Sequence, residues 1–225
     1  MPLLPRHEPF CPANTPLERV ISKESIPATV TGLNSVQAVS MLNITNPKLS
    51  IQLIAGWLST REAIWWAVLC QSQLLKVGKG TQHDTETLSK VTQWVLEPVD
   101  SKRESIAPRG ETTAASSIGL LTSAVSLTAD NLSPSKDHPV NSNPTLAHRL
   151  TAQSIITAAS LWGSESPRAC YLHFINIGLD ITEGLNLWRS GAIPPHPGLR
   201  HTAIKNKGKS EISSNIWEKW GKENT

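Results

Sequence analysis

The sequence predicts an all-α protein, a single multi-helix globular bundle of about eight or nine helices. Three observations predict it. A small polar residue followed by Pro recurs ahead of apolar runs, as Thr15-Pro16, Asn46-Pro47, Asn143-Pro144 and Ser166-Pro167. The polar side chain can accept a bond from a first-turn N–H, while Pro gives up a donor that has no intrahelical partner. Apolar residues then recur at helical spacing, as Leu49, Leu53, Ile54, Trp57 and Leu58 do, and Leu88, Val91, Trp94 and Val95. No run alternates strictly between polar and β-branched residues, so strands are not expected.

Taken in order, helices are expected over 15–24, 34–43, 47–58, 60–76, 84–96, 100–107, 111–127, 145–162 and 167–181. The polar-Pro pairs open the first, third, eighth and ninth. Thr15 with Glu18, Ser59 with Glu62 and Ser101 with Glu104 match the reciprocal capping box, which marks starts at 15, 59 and 101. Between helices, "KVGKGTQHD" (76–84) reads as a glycine-bearing loop and "TADNLSPSKDHPVNSNP" (128–144) as a long irregular connection. The expected organisation is a disordered segment 1–13, one helical domain over 14–190, and a flexible basic tail 191–225.

At 225 residues the chain is long enough to bury a full core without metal or disulfide. Three scattered cysteines, Cys11, Cys70 and Cys170, form no C-x-x-C pair and read as reduced thiols. The N-terminal "MPLLPRHEPFCPANTP" has no signal-peptide pattern, and no apolar stretch approaches the ~20 residues of a membrane span, so a cytoplasmic location is expected. Large-side-chain packing falls to Trp, with eight against two Phe and one Tyr. From Arg189 onward there are seven Lys/Arg against three Glu, whereas the net charge of the whole chain is +3. Basicity therefore belongs to the tail.

The segment "LSTREAIWWAVLCQSQLL" (58–75) places two indoles side by side on one helix. Neighbours on a helix point ~100° apart, so Trp65 and Trp66 serve two faces. No residue from 63 to 70 is charged, which is the pattern of a helix enclosed by others. The competing reading makes the indoles a stacking floor for a base, sugar or quaternary amine, with Arg61 and Glu62 at its rim. The sequence offers no second cluster of basic or hydrogen-bonding residues to mark an opening, so the core reading is preferred. Glu62 then closes a capping box, and Arg61 is expected to pair with a carboxylate.

Sites for chemistry are sparse. His7 and Cys11 lack further partners for a metal. Cys170 and His173 share a helix face and could form a thiolate-imidazole pair, but the apolar neighbours of Cys170 favour a buried structural thiol. Asp180 and Glu183 read as turn and cap chemistry. No phosphate loop, dinucleotide fingerprint, nucleophile elbow or zinc-helix motif occurs, and no cofactor is expected. In the tail, Lys205, Lys207 and Lys209 with Trp217 and Trp220 could contact nucleic acid. Alternatively, Ile216, Trp217 and Trp220 form an apolar edge able to dock in a groove of another protein.

Several segments together, "REAIWWAVLC" (61–70), "TQWVLEP" (92–98), "SLTADNLSP" (126–134), "HRLTAQSIITAA" (148–159) and "FINIGLDITEG" (174–184), resemble an uncharacterised bacterial family of helical proteins, a domain of unknown function. Some of its members are encoded near type VI secretion clusters. The resemblance spans about residues 45–187, and its most specific part is the Arg61-Glu62-x-x-Trp65-Trp66-Ala67 pattern with the later Gly178-Leu179-Asp180-x-x-x-Gly184; Arg61, Glu62, Trp65, Trp66 and Trp94 are read as structural residues. This chain departs from it at Ala129, Asp130 and Asn131, where a glycine pair is usual, and at Val125, where an aromatic is common. The resemblance implies a bacterial setting and a link to secretion, but no reaction. The expected function is that of a non-enzymatic accessory or adaptor protein acting on another protein. A small enzyme using a pocket near Arg61 or the Cys170/His173 pair, and nucleic-acid binding through the tail, are the alternatives.

Overall fold

The computed structural model of the protein describes residues 11–106, 116–129, 141–163 and 166–188. The tail 191–225, with Ile216, Trp217 and Trp220, lies outside the described residues, as does His7. Nine α-helices are found among the described residues: α1 Asn14–Glu18, α2 Ser35–Thr45, α3 Pro47–Trp57, α4 Thr60–Lys76, α5 Gln82–Leu96, α6 Asp100–Ile106, α7 Ser117–Ser126, α8 Pro144–Leu161 and α9 Pro167–Thr182. The fold is all-α, and no strand or sheet occurs among those residues.

The caps explain most of the boundaries. Ser59 and Glu62 form the expected box, with the Ser59 backbone N–H donating to Glu62 Oε2 at 3.0 Å. Asn46 and Asn143 accept from the amides of Leu49 and Thr145 at 3.2 and 3.0 Å. Two boxes were not anticipated, Asn34 with Gln37 at α2 and Thr81 with Asp84 at α5. The pattern behind them admits Asn at the cap and Asp three residues later, which the S/T-x-x-E/Q form leaves out.

Two starts are corrected. Thr15 does not cap α1, because the cap position is Ala13, whose side chain has no acceptor. The helix expected over 15–24 ends at Glu18, where Ser22 turns extended and Pro27 holds Ile26 out of the α region. Short 3-10 turns at Lys23–Ser25 and Ala28–Val30 take its place. Ser101 is likewise no cap, since α6 begins at Asp100, whose carboxylate accepts from Arg103 at 2.7 Å. Residues 12 and 13, expected within a disordered segment 1–13, are held in the fold. Ala13 is fully buried and its N–H donates to Leu33 O at 3.0 Å, while Pro12 bridges Asn34.

Helices α3 and α4 form the centre. The first packs on α1, α2, α8 and α9, and the second on α5, α7, α8 and α9, with the two also touching each other. Close approach is built in at two glycines. A Cβ on Gly56 of α3 would lie 1.9 Å from the Pro16 carbonyl oxygen, and one on Gly178 of α9 would lie 2.6 Å from the Trp66 ring. Only a residue without a side chain lets these backbones meet. Arg19 then donates to Gly56 O at 2.9 Å, tying the end of α1 to α3.

Candidate functional site

The REAxWW motif sits in the first two turns of α4, and its Arg, Glu and both Trp side chains each bond a backbone group. Trp66 is fully buried and its Nε1–H donates to the carbonyl of Phe174 in α9 at 2.8 Å. Trp65 is 2% exposed and donates to the carbonyl of Asn186 at 2.6 Å. Asn186 has a left-handed backbone, φ 53°, which Asn tolerates better than most residues. Its side-chain amide also donates to Asp180 at 3.0 Å. An indole buried in this way contributes apolar area and a directed bond at once.

Arg61 caps α5: its guanidinium donates from Nε to Val95 O at 2.7 Å and from NH2 to Val95 O and, at 2.9 Å, to Leu96 O. The last carbonyls of a helix lack intrahelical donors and carry partial negative charge, so a planar cation with several N–H groups suits them. The same guanidinium lies over the Trp188 ring, 4.5 Å from its centroid. Trp188 meets Trp65 edge to face at 6.4 Å. Arg61, Trp65 and Trp188 thus join α4, the end of α5 and the segment after α9 in one cluster.

Two further elements of the site escaped sequence reasoning. His148 of α8 is buried, with Nδ1 2.8 Å from Ala55 O and Nε2 3.2 Å from Thr60 Oγ1. A carbonyl accepts only, so Nδ1 carries the hydrogen and Nε2 accepts from the Thr60 hydroxyl. Burial pushes the His148 pKa below its usual range, the Ala55 carbonyl opposes this, and the Arg19 charge adds to it. The ring is therefore a neutral joint between α3, α4 and α8. The second is a buried triad: Gln71 Nε2 donates to Ser154 Oγ at 3.0 Å, Ser154 Oγ to Ser117 O at 2.6 Å, and Ser117 Oγ to Gln71 Oε1 at 3.1 Å. A polar residue on an otherwise apolar helix face was the available signal in both cases.

Trp94 is 4% exposed in α5. Cys170 is 1% exposed, and the His173 ring stacks on Trp162 with centroids 4.7 Å apart. Burial lowers the His173 pKa, with Asp180 opposing. Burial likewise raises the thiol of Cys70, keeping it protonated. No group of three metal-ligating side chains occurs among the described residues. No described helix is long and apolar enough to cross a membrane.

Residues 40–182 match a family of unknown function, DUF6931. The chain belongs to DUF6931. No curated protein and no solved structure is recognisably similar to it. The DUF6931 match begins within α2 and stops at the last residue of α9. Asn186 and Trp188, which complete the Arg61–Trp65 cluster, lie just past it.

Proposed function

We propose that this DUF6931 protein is a non-enzymatic adaptor that binds another protein through the molecular end organised by Arg61 and Trp188, together with the basic segment that follows it. The observation that carries the reading is apolar exposure around a rigid cluster. Leu96 and Leu185 are 45% and 37% exposed, and both stand beside groups the cluster fixes. The Leu96 carbonyl is held by Arg61, and Leu185 directly precedes Asn186. Exposed leucines on immobilised backbone suit a protein interface, because little conformational freedom is lost when they are covered. The chain continues from here into the sequence bearing Ile216, Trp217 and Trp220, residue types that anchor interfaces. The resemblance to proteins encoded near type VI secretion clusters supports a partner in that apparatus and action in the cytoplasm.

The test is affinity capture from the native host with four baits: the full chain, residues 1–188, the full chain carrying Trp217→Ala and Trp220→Ala, and the full chain carrying Leu96→Glu. The expected result is one stoichiometric partner with the full chain, weakened by Leu96→Glu and lost with the truncated and double-Trp baits. Identical captures with all four, or no partner after crosslinking, overturn the reading.

A further inference from the structure

The opposite end of α4 borders a cleft of about 250 Å³, enclosed with the starts of α5 and α7 and the last turn of α8. We propose that this cleft binds a small organic anion: a single aryl or short alkyl body carrying one carboxylate. The proposal does not depend on the adaptor reading, since it concerns different residues.

Size comes first. A cavity of about 150 Å³ holds a benzene ring, so 250 Å³ accommodates an aryl or short alkyl group with a small headgroup. The walls suit the body, since Leu74, Ile118 and Leu161 line the cleft. Leu161 is 51% exposed, so an apolar ligand seated here would remove costly surface from water.

The floor is polar and rigid. Gln71 and Ser117 line it, locked in the triad with Ser154. The Gln71 amide makes one donation, to Ser154, of the two its nitrogen offers. A buried amide with a spare N–H is a ready donor to a ligand oxygen, because its orientation is already fixed by the bond to Ser154.

Charge selects the headgroup. Lys79 is exposed at the cleft and forms no ion pair among the described residues. The positive pole of the ten-residue α7 opens beside it, with Ser116 as its cap. Asp84 is the opposing charge, but its Oδ2 accepts from the Thr81 amide at 2.8 Å and the Thr81 hydroxyl at 2.9 Å, so it is committed to the start of α5. Among the described residues that line the cleft, Lys79 is therefore the cation without an ion pair, and the carboxylate belongs with it.

The experiment is an amide-proton NMR titration of the full chain with phenylacetate, and with phenethylamine as a charge-reversed probe of similar size. Phenylacetate should give saturable shifts at Gly80, Ser117, Ile118 and Thr157. Lys79→Ala should weaken its binding roughly fivefold, an effect that added salt diminishes. Leu161→Glu, at a half-exposed position, should abolish binding while leaving the remaining spectrum in place. Absence of saturable shifts, equal or tighter binding of phenethylamine, or shifts indifferent to both substitutions would each overturn the proposal.

Discussion

The two ends of α4 use the same kinds of residue in opposite ways. At the N-terminal end Arg61, Glu62, Trp65 and Trp66 each bond a backbone group, in places across more than a hundred residues. At the C-terminal end Lys79 stands without an ion pair among the described residues, and Gln71 keeps an amide hydrogen in reserve beside a cleft. A polar group whose bonds are all made to its own fold stabilises that fold and has little left for a ligand. Recognition is drawn from groups left over, and this helix separates the two uses by about three turns.

If that contrast holds, substitutions at the first end cost stability and those at the second do not. Trp66→Ala should be the most damaging, removing about 3–5 kcal/mol in urea denaturation, because it leaves a large cavity between α4 and α9. Gly178→Ala forces a methyl into the Trp66 ring and should cost about 1–3 kcal/mol, largely relieved when combined with Trp66→Leu. Arg61→Lys keeps the charge but loses the planar fork and the stacking on Trp188. A loss of about 1.5 kcal/mol is expected, with faster amide exchange in the last turn of α5.

Histidine titration gives a smaller effect. The folded-state pKa values of His148 and His173 are lowered, so below the ordinary value of 6.5 the unfolded chain binds protons that the folded chain resists. Stability should be full above that value and decline as pH falls below it, by at most about 1.4 kcal/mol per pH unit for each histidine. A melting-temperature series on His148→Gln should show a shallower decline; an unchanged slope would assign the effect elsewhere. Smallest of all, Lys79→Ala should alter stability by under about 0.5 kcal/mol. A larger loss would mean that Lys79 belongs to the structural end after all.

The features visible in the sequence are those that depend on near neighbours. The Ser59–Glu62 box, the prolines at 47, 144 and 167, and the enclosed stretch 63–70 all express rules spanning a few residues. The family segments could likewise be recognised because they are local strings. What escaped notice depends on distant partners. Nothing near Arg61 in sequence announces the carbonyls of Val95 and Leu96, and nothing near Trp65 points to Asn186. Local rules also misplaced Thr15, where packing of Pro16 against Gly56 and the extended Ser22 decide the geometry and the Ser/Thr-x-x-Glu match does not. His148 and Gln71 could have been flagged, since each is a polar residue at a core position, but their partners could not.

The bonds from Trp65 and Trp66 have a consequence for the nascent chain. They span 121 and 108 residues. At ~5–20 residues per second, the ribosome needs on the order of ten seconds to deliver the acceptors after the indoles emerge. During that interval a helix whose residues 62–74 are all buried in the finished fold has its indole donors unmatched and its faces uncovered, a window in which a chaperone would bind and in which slowed translation would raise the risk of aggregation.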